Sequence, residues 1–166
     1  MIVVSFDLGL DGAIAVLHST GYADAWEMPR AGEDYDRRAI YNTLEPLATQ
    51  GAVGVMERVW GNPTMGGASA FRFGQGYELA KSAFTFFKMP FTEVLPAHWK
   101  RFHSLPKAST TVERKRLAIA KCLDEFPTVD IKRVGGKPYS GKMLEKIHHD
   151  GKADALLIGL WRKRQG

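Results

Sequence analysis

Three carboxylates stand where a carboxylate is costly. Asp7 closes the apolar run "MIVVSFD", Glu57 lies inside "AVGVMERV", and Asp154 precedes the apolar stretch "ALLIGLW". A buried charge is expensive unless it is paired or bound to metal. A single case is explained by a structural brace; several at separate places point to a shared site. Converging hard oxygen ligands suit Mg²⁺, with Mn²⁺ as a substitute. Two such ions, about 3.5–4 Å apart, clamp an in-line displacement at phosphorus. Asp150 lies four residues before Asp154, so a helix would put both on one face. Asp11 reads as a turn residue between two strands and is set aside.

The elements that must carry these acids follow from periodicity. Ile2–Asp7, Gly12–His18 and Ala23–Met28 read as strands joined by connections short enough for antiparallel hairpins. Tyr35–Gln50 has helical spacing, with Pro46 expected to end it early. Ala52–Val59 reads as a buried strand and Phe91–Leu95 as a short one. The aromatic and alanine-rich Ala70–Phe87 reads as a helix, and Pro96–Phe102 as a helical turn. Ser109–Phe126 is an amphipathic helix with a capping box if Thr110 is the cap and Glu113 its partner. Gly151–Lys163 is a closing helix. The order β-β-β-α-β-α-β-α-α predicts an α/β fold: a mixed five-stranded sheet, three antiparallel strands then parallel ones, with helices on both faces.

With 166 residues and no internal repeat, the expectation is one domain, 1–166, with a basic flexible loop around 132–147. The net charge of +5 is unevenly spread. From Lys132 onward nine Lys and Arg face three acids, a net of +6, leaving −1 for the first 131 residues. A basic end on a neutral body suits a polyanion such as nucleic acid; a merely solvated tail is the alternative. The single cysteine, Cys122, excludes an internal disulfide and a cysteine zinc site. No apolar run is long enough for a bilayer and no secretory pattern is present. A cytoplasmic protein is expected, an organelle being the alternative.

The blocks "FDLGLDGAIAVL", "VMERVW", "FRFGQGY" and "HHDGKADALLIGLW" resemble those of RuvC-type Holliday junction resolvases, closest to the branch common in phages and prophages. The resemblance spans nearly the whole chain and implies an RNase H-like fold in a bacterial or phage-infected cell. It implies a homodimer that nicks four-way DNA junctions symmetrically, leaving 5′-phosphate and 3′-hydroxyl ends. Asp7, Glu57, Asp150 and Asp154 become the ligands of two ions. In bacterial relatives the penultimate ligand lies three residues before the last; here that position is Gly151. Asp150 therefore takes the role, with His149, and His148 beside it, as alternative base or ligand.

Trp60 matches an aromatic that inserts at the junction centre, a buried Trp being the alternative. Lys100 and Lys107 match phosphate-holding positions loosely, and Arg101, Lys132, Arg133, Lys137 and Lys142 extend that track. Ala70–Phe87 is the expected dimer face, or else ordinary core. Two other classes compete. Actin-like ATPases use a similar Asp-and-glycine hairpin, but need two such domains. A catalytically dead junction binder is the other, as is, within nucleases, an enzyme that cuts forks and flaps equally.

Overall fold

Alternation along the first strand decides the architecture. In β1 (Val3–Asp7) Val4 and Phe6 point to one side of the sheet, and Val3, Ser5 and Asp7 to the other. In the computed structural model, which describes residues 1–60, 66–134 and 147–166, that strand is the centre of a five-stranded sheet. β2 (Ala13–Leu17) and β3 (Ala23–Glu27) continue it as antiparallel hairpins. A two-stranded ribbon, β4 (Arg30–Ala31) and β5 (Asp34–Tyr35), follows outside the main sheet and was not expected. β6 (Val53–Glu57) pairs parallel with β1, and β7 (Phe91–Val94) parallel with β6, giving the order β3-β2-β1-β6-β7. Three antiparallel strands followed by parallel ones are the arrangement that the element order predicted.

Helices cover both faces, each over its own core. α1 (Arg37–Thr49) and α2 (Gly67–Phe86) lay Ile40, Leu44, Leu79 and Phe84 against Val4, Phe6 and Met56. α3 (Pro96–Phe102), α4 (Thr111–Glu125) and α5 (Asp150–Lys163) bring Trp99, Ile119 and Leu156 onto Val3, Ala15 and Val55. Each face has several large apolar side chains with no exposed surface, and each such burial is worth about 1.5–3 kcal/mol before entropy.

Pro46 does not end α1. It sits on the exposed side near the last turn, where the carbonyl it leaves unpaired is free to meet water. Gly51, at φ 71°, follows the last turn, and its N–H and that of Ala52 close on Ala48 and Leu47 carbonyls. At α4 the cap is Thr110, which accepts from the Glu113 N–H at 3.1 Å. Glu113 reaches back one residue further than expected, accepting from the Ser109 N–H and hydroxyl, both at 2.7 Å. The Ala70–Phe87 stretch is divided. Leu79, Ala80, Ala83 and Phe84 are core, while Phe71 and Phe86 are exposed.

The basic loop expected around 132–147 falls mostly outside the described residues, and Lys137 and Lys142 with it. Its near end is anchored: Lys132 bridges to His148, and the His149 N–H donates to the Ile131 carbonyl at 2.7 Å. Among the described residues no helix is long and apolar enough to cross a membrane.

Candidate metal and nucleic-acid site

Asp7 and Glu57 end adjacent parallel strands, one register step beyond the Phe6–Met56 pair. The carboxyl ends of parallel strands are where open α/β sheets place their ligands. Period 2 turns both acids toward α5, because Ser5 and Val55, two residues before each, face that side. The Ser5 hydroxyl donates to the Ala155 carbonyl at 2.7 Å and pins α5 against β1. That contact places Asp154, one residue earlier, beside the strand ends.

The turn after Asp7 is built for close approach. A Cβ on Gly12 would lie 2.1 Å from the Asp7 carbonyl oxygen, so no other residue fits. Arg30 holds the same turn, donating to the Leu10 carbonyl and pairing with Asp11 at 2.5 Å. Asp11 is a turn residue, as the sequence suggests.

The acids sense one another. Burial pushes the Asp7 carboxyl well above its ordinary range, and the charges of Asp154, Glu57 and Asp150 push it further, against Lys100. Asp154 is raised by burial and by Glu57, against Lys100. Its Oδ1 is buried without a hydrogen-bond partner. Asp7 and Asp154 each keep some solvent-facing surface, and Asp154 lines an open cleft. A carboxylate-only donor set with an orphaned oxygen fits a hard divalent cation. Among the described residues, however, no three acidic or histidine side chains close on one point as a finished cage. Two of the acids have other partners.

Glu57 is one. Its Oε1 accepts from the Trp99 indole N–H at 2.6 Å. Asp150 is the other. Lys115 reaches its Oδ2 at 2.8 Å and Arg133 its Oδ1 at 2.9 Å. Burial alone would raise the Asp150 carboxyl, but Lys115, a backbone hydrogen bond and the Arg133 charge together more than offset it, and it lies below the usual range. Asp150 stands in the first turn of α5, where the helix dipole also favours a negative charge. Position 151 has no room for an acid. A Cβ on Gly151 would meet Asp7 Oδ2 and the Asp11 carbonyl oxygen, each at 2.9 Å.

His149 is placed as a cap. Its Nδ1 accepts the Lys152 N–H at 3.2 Å, and its Nε2 lies 3.9 Å from Glu27 on β3. Burial lowers its pKa, against the pull of Glu27. His148 pairs with Lys132 through the backbone. Lys152 is buried, its ammonium on the Lys132 carbonyl at 2.9 Å.

A cleft of 570 Å³ opens beside Asp154, lined by Lys100, Arg101, Lys107 and Arg114. Three of the basic residues nominated from sequence thus share one wall system. Lys132 is exposed at its isolated bridge to His148, and Arg133 pairs with Asp150. Trp60 is 68% exposed at the acid end of the sheet, whereas Trp99 is completely buried. Sequence reasoning missed Arg114, Lys115 and Trp99. Spacing held the signal for one: Lys115 lies four before buried Ile119 and is half-buried, whereas Arg114 is exposed on the cleft wall.

No family model matches the chain, and no curated protein sequence matches it. Solved structures do. The fold is similar to Thermus thermophilus RuvC in complex with a Holliday junction substrate, at 11% identity and a TM-score of 0.54, covering 100% of this chain and 97% of that one. It is similar to Thermus thermophilus RuvC alone at 12% identity and 0.52, with the same coverage. The yeast mitochondrial Holliday junction resolvase Ydc2 matches at 15% identity and 0.44, covering 95% and 75%. At such identities the likeness is one of fold, and the fold is RuvC-like, of the RNase H type.

Proposed function

We propose that the protein is a divalent-metal-dependent endonuclease that resolves four-way DNA junctions by paired symmetric nicks, of the kind found in phages and prophages. The observation that carries the reading is that Asp7, on one strand, feels the charges of Glu57 on the next strand and of Asp154 on α5, while Asp154 lies on the wall of a basic cleft. Their carboxylates would hold the ions, with Asp150 joining once Lys115 and Arg133 release it. Bound Mg²⁺ supplies Lewis-acid stabilisation of the attacking and leaving oxygens. The chain's own residues do the rest. Lys100, Arg101, Lys107 and Arg114 hold backbone phosphates, which fixes the strand's position without reading sequence. The carboxylates must be ionised to bind metal, so activity falls in acid.

A four-way junction has two-fold symmetry, and a homodimer supplies two matching sites. The exposed Phe71 and Phe86 on α2 fit that arrangement. One gel tests the whole reading: labelled four-way junction, fork and linear duplex, with Mg²⁺ and without. Selective Mg²⁺-dependent cleavage of the junction is expected. Equal cutting of all three would leave only a general nuclease, and binding without cutting would leave a junction-binding module.

Trp60 is proposed as the wedge at the junction centre. Base–aromatic stacking is worth about 1–3 kcal/mol per base. Trp60→Ala should therefore slow junction cleavage more than it weakens binding, by roughly tenfold per 1.4 kcal/mol lost at the distorted step. Gel-shift affinity measured beside single-turnover cleavage separates the two, and an unchanged cleavage rate would remove Trp60 from the site.

A further inference from the structure

We infer that Trp99 is a positioning residue that orients the Glu57 carboxylate for metal binding; the inference rests on the reading of Asp7, Glu57 and Asp154 as the ligand set. The indole N–H donates to Glu57 Oε1 at 2.6 Å, from a side chain with no exposed surface. A bond this short to a carboxylate is charge-assisted and directional. Its rigidity comes from the chain path. Val94 of β7 is the register partner of Glu57, and its carbonyl accepts the Arg58 N–H at 2.8 Å. Leu95 then turns the chain, Pro96 starts α3, and Trp99 drops one turn later into the core between sheet and α4. Strand pairing on one side and core packing on the other fix donor and acceptor together.

The choice of donor matters. Indole donates but cannot accept and does not ionise. It orients one carboxylate oxygen without neutralising the charge that a cation needs. Asp150 shows the contrast, with a cation on each oxygen. Trp99 also carries Lys100, whose ammonium lies 5.0 Å over the indole ring and whose charge opposes the upward shifts of Asp7 and Asp154. One short helix thus delivers an orienting donor to Glu57 and a counter-charge to the other two acids. Outer partners of metal ligands typically govern about 10–100-fold in metal affinity.

The test is Mn²⁺ affinity measured by EPR on the DNA-free protein, for wild type, Trp99→Phe, Glu57→Gln and Asp154→Asn. Trp99→Phe keeps an aromatic ring but loses the N–H. About tenfold weaker Mn²⁺ binding is expected, with a far-UV spectrum like that of wild type. If Trp99→Phe binds within twofold of wild type while Glu57→Gln and Asp154→Asn weaken, the positioning role is overturned and the ligand set stands. If Glu57→Gln and Asp154→Asn also bind as wild type does, the ligand reading itself has failed. Should Trp99→Phe not fold, nitrogen-15 NMR of the wild-type indoles asks the same question. The Trp99 resonance should lie far downfield without metal, shift saturably with Mg²⁺, and move upfield in Glu57→Gln. A resonance indifferent to both changes overturns the inference.

Discussion

Asp7→Asn should abolish Mg²⁺-dependent nicking and, in the absence of metal, raise the melting temperature. The loss follows from the acids around Asp7: the charges of Asp154, Glu57 and Asp150 all raise its carboxyl. On the proposed reading Asp7 is a ligand common to the site, and its removal forfeits several kcal/mol of charge stabilisation, about 10³-fold in rate or more. The gain in stability has the same origin. Without a cation, Asp7 is a desolvated carboxylate facing like charge, and asparagine keeps the shape while removing the repulsion. Each kcal/mol relieved should raise the melting temperature by about 2–4 °C in a chain of this size.

The sign of the pH dependence follows. Asp7 and Asp154 are both raised in the fold, so the folded protein keeps protons that the unfolded chain has released. Their contribution is fully present below the unfolded carboxylate value near about pH 4 and is lost as pH rises through the raised values. Metal-free wild type should therefore melt lower at about pH 8 than at about pH 5, and Asp7→Asn should flatten that slope. Asp150, lowered by Lys115 and Arg133, acts in the opposite sense: its contribution is present above the unfolded value and lost in stronger acid. Scanning calorimetry in EDTA at several pH values reads all of this. A variant that melts lower than wild type at neutral pH, or that still cuts, would break the link between repulsion and site.

What the sequence revealed of this site is what period 2 and period 3.6 can encode. Asp7 and Glu57 are conspicuous because each ends an apolar strand, and their shared face follows from counting two residues back to Ser5 and Val55. Asp154 is conspicuous because Ala155–Leu160 is buried almost all round. The partners of these acids were hidden by chain distance. Trp99 is 42 residues from Glu57, and Arg133 is 17 from Asp150. Nothing local distinguishes Arg133 from the other basic residues of its segment, so it read as part of a phosphate track. The resemblance offers His149 as a base or ligand; the structure adds that its Nδ1 caps the start of α5, a use that the resemblance did not suggest. The β4–β5 ribbon escaped notice because two-residue strands have no period at all.

Gly151→Ala should cost both stability and activity, although it adds a single methyl to a helix. Helix propensity alone favours alanine by about 1 kcal/mol. Here the methyl would meet Asp7 Oδ2 at 2.9 Å, the Asp11 carbonyl oxygen at 2.9 Å and the Gly12 carbonyl carbon at 3.0 Å. Two of those three atoms are backbone, in a turn already closed by Gly12, and cannot rotate away. Overpacking of this kind costs about 1–3 kcal/mol, more than propensity returns. Relief requires the start of α5 to move off β1, and Asp154 moves with it. A shift of about 1 Å at a reacting centre costs about 10²-fold in rate. Urea melts and single-turnover junction cleavage of Gly151→Ala measure the two effects, and a variant as stable and active as wild type would refute the contact. The double change Asp150→Gly with Gly151→Asp moves the acid to the spacing of the bacterial enzymes, and it should fare worse still, since it sets a second carboxylate against Asp7 Oδ2. In this chain the acid stands at 150 because the space at 151 is filled by Asp7 and its turn.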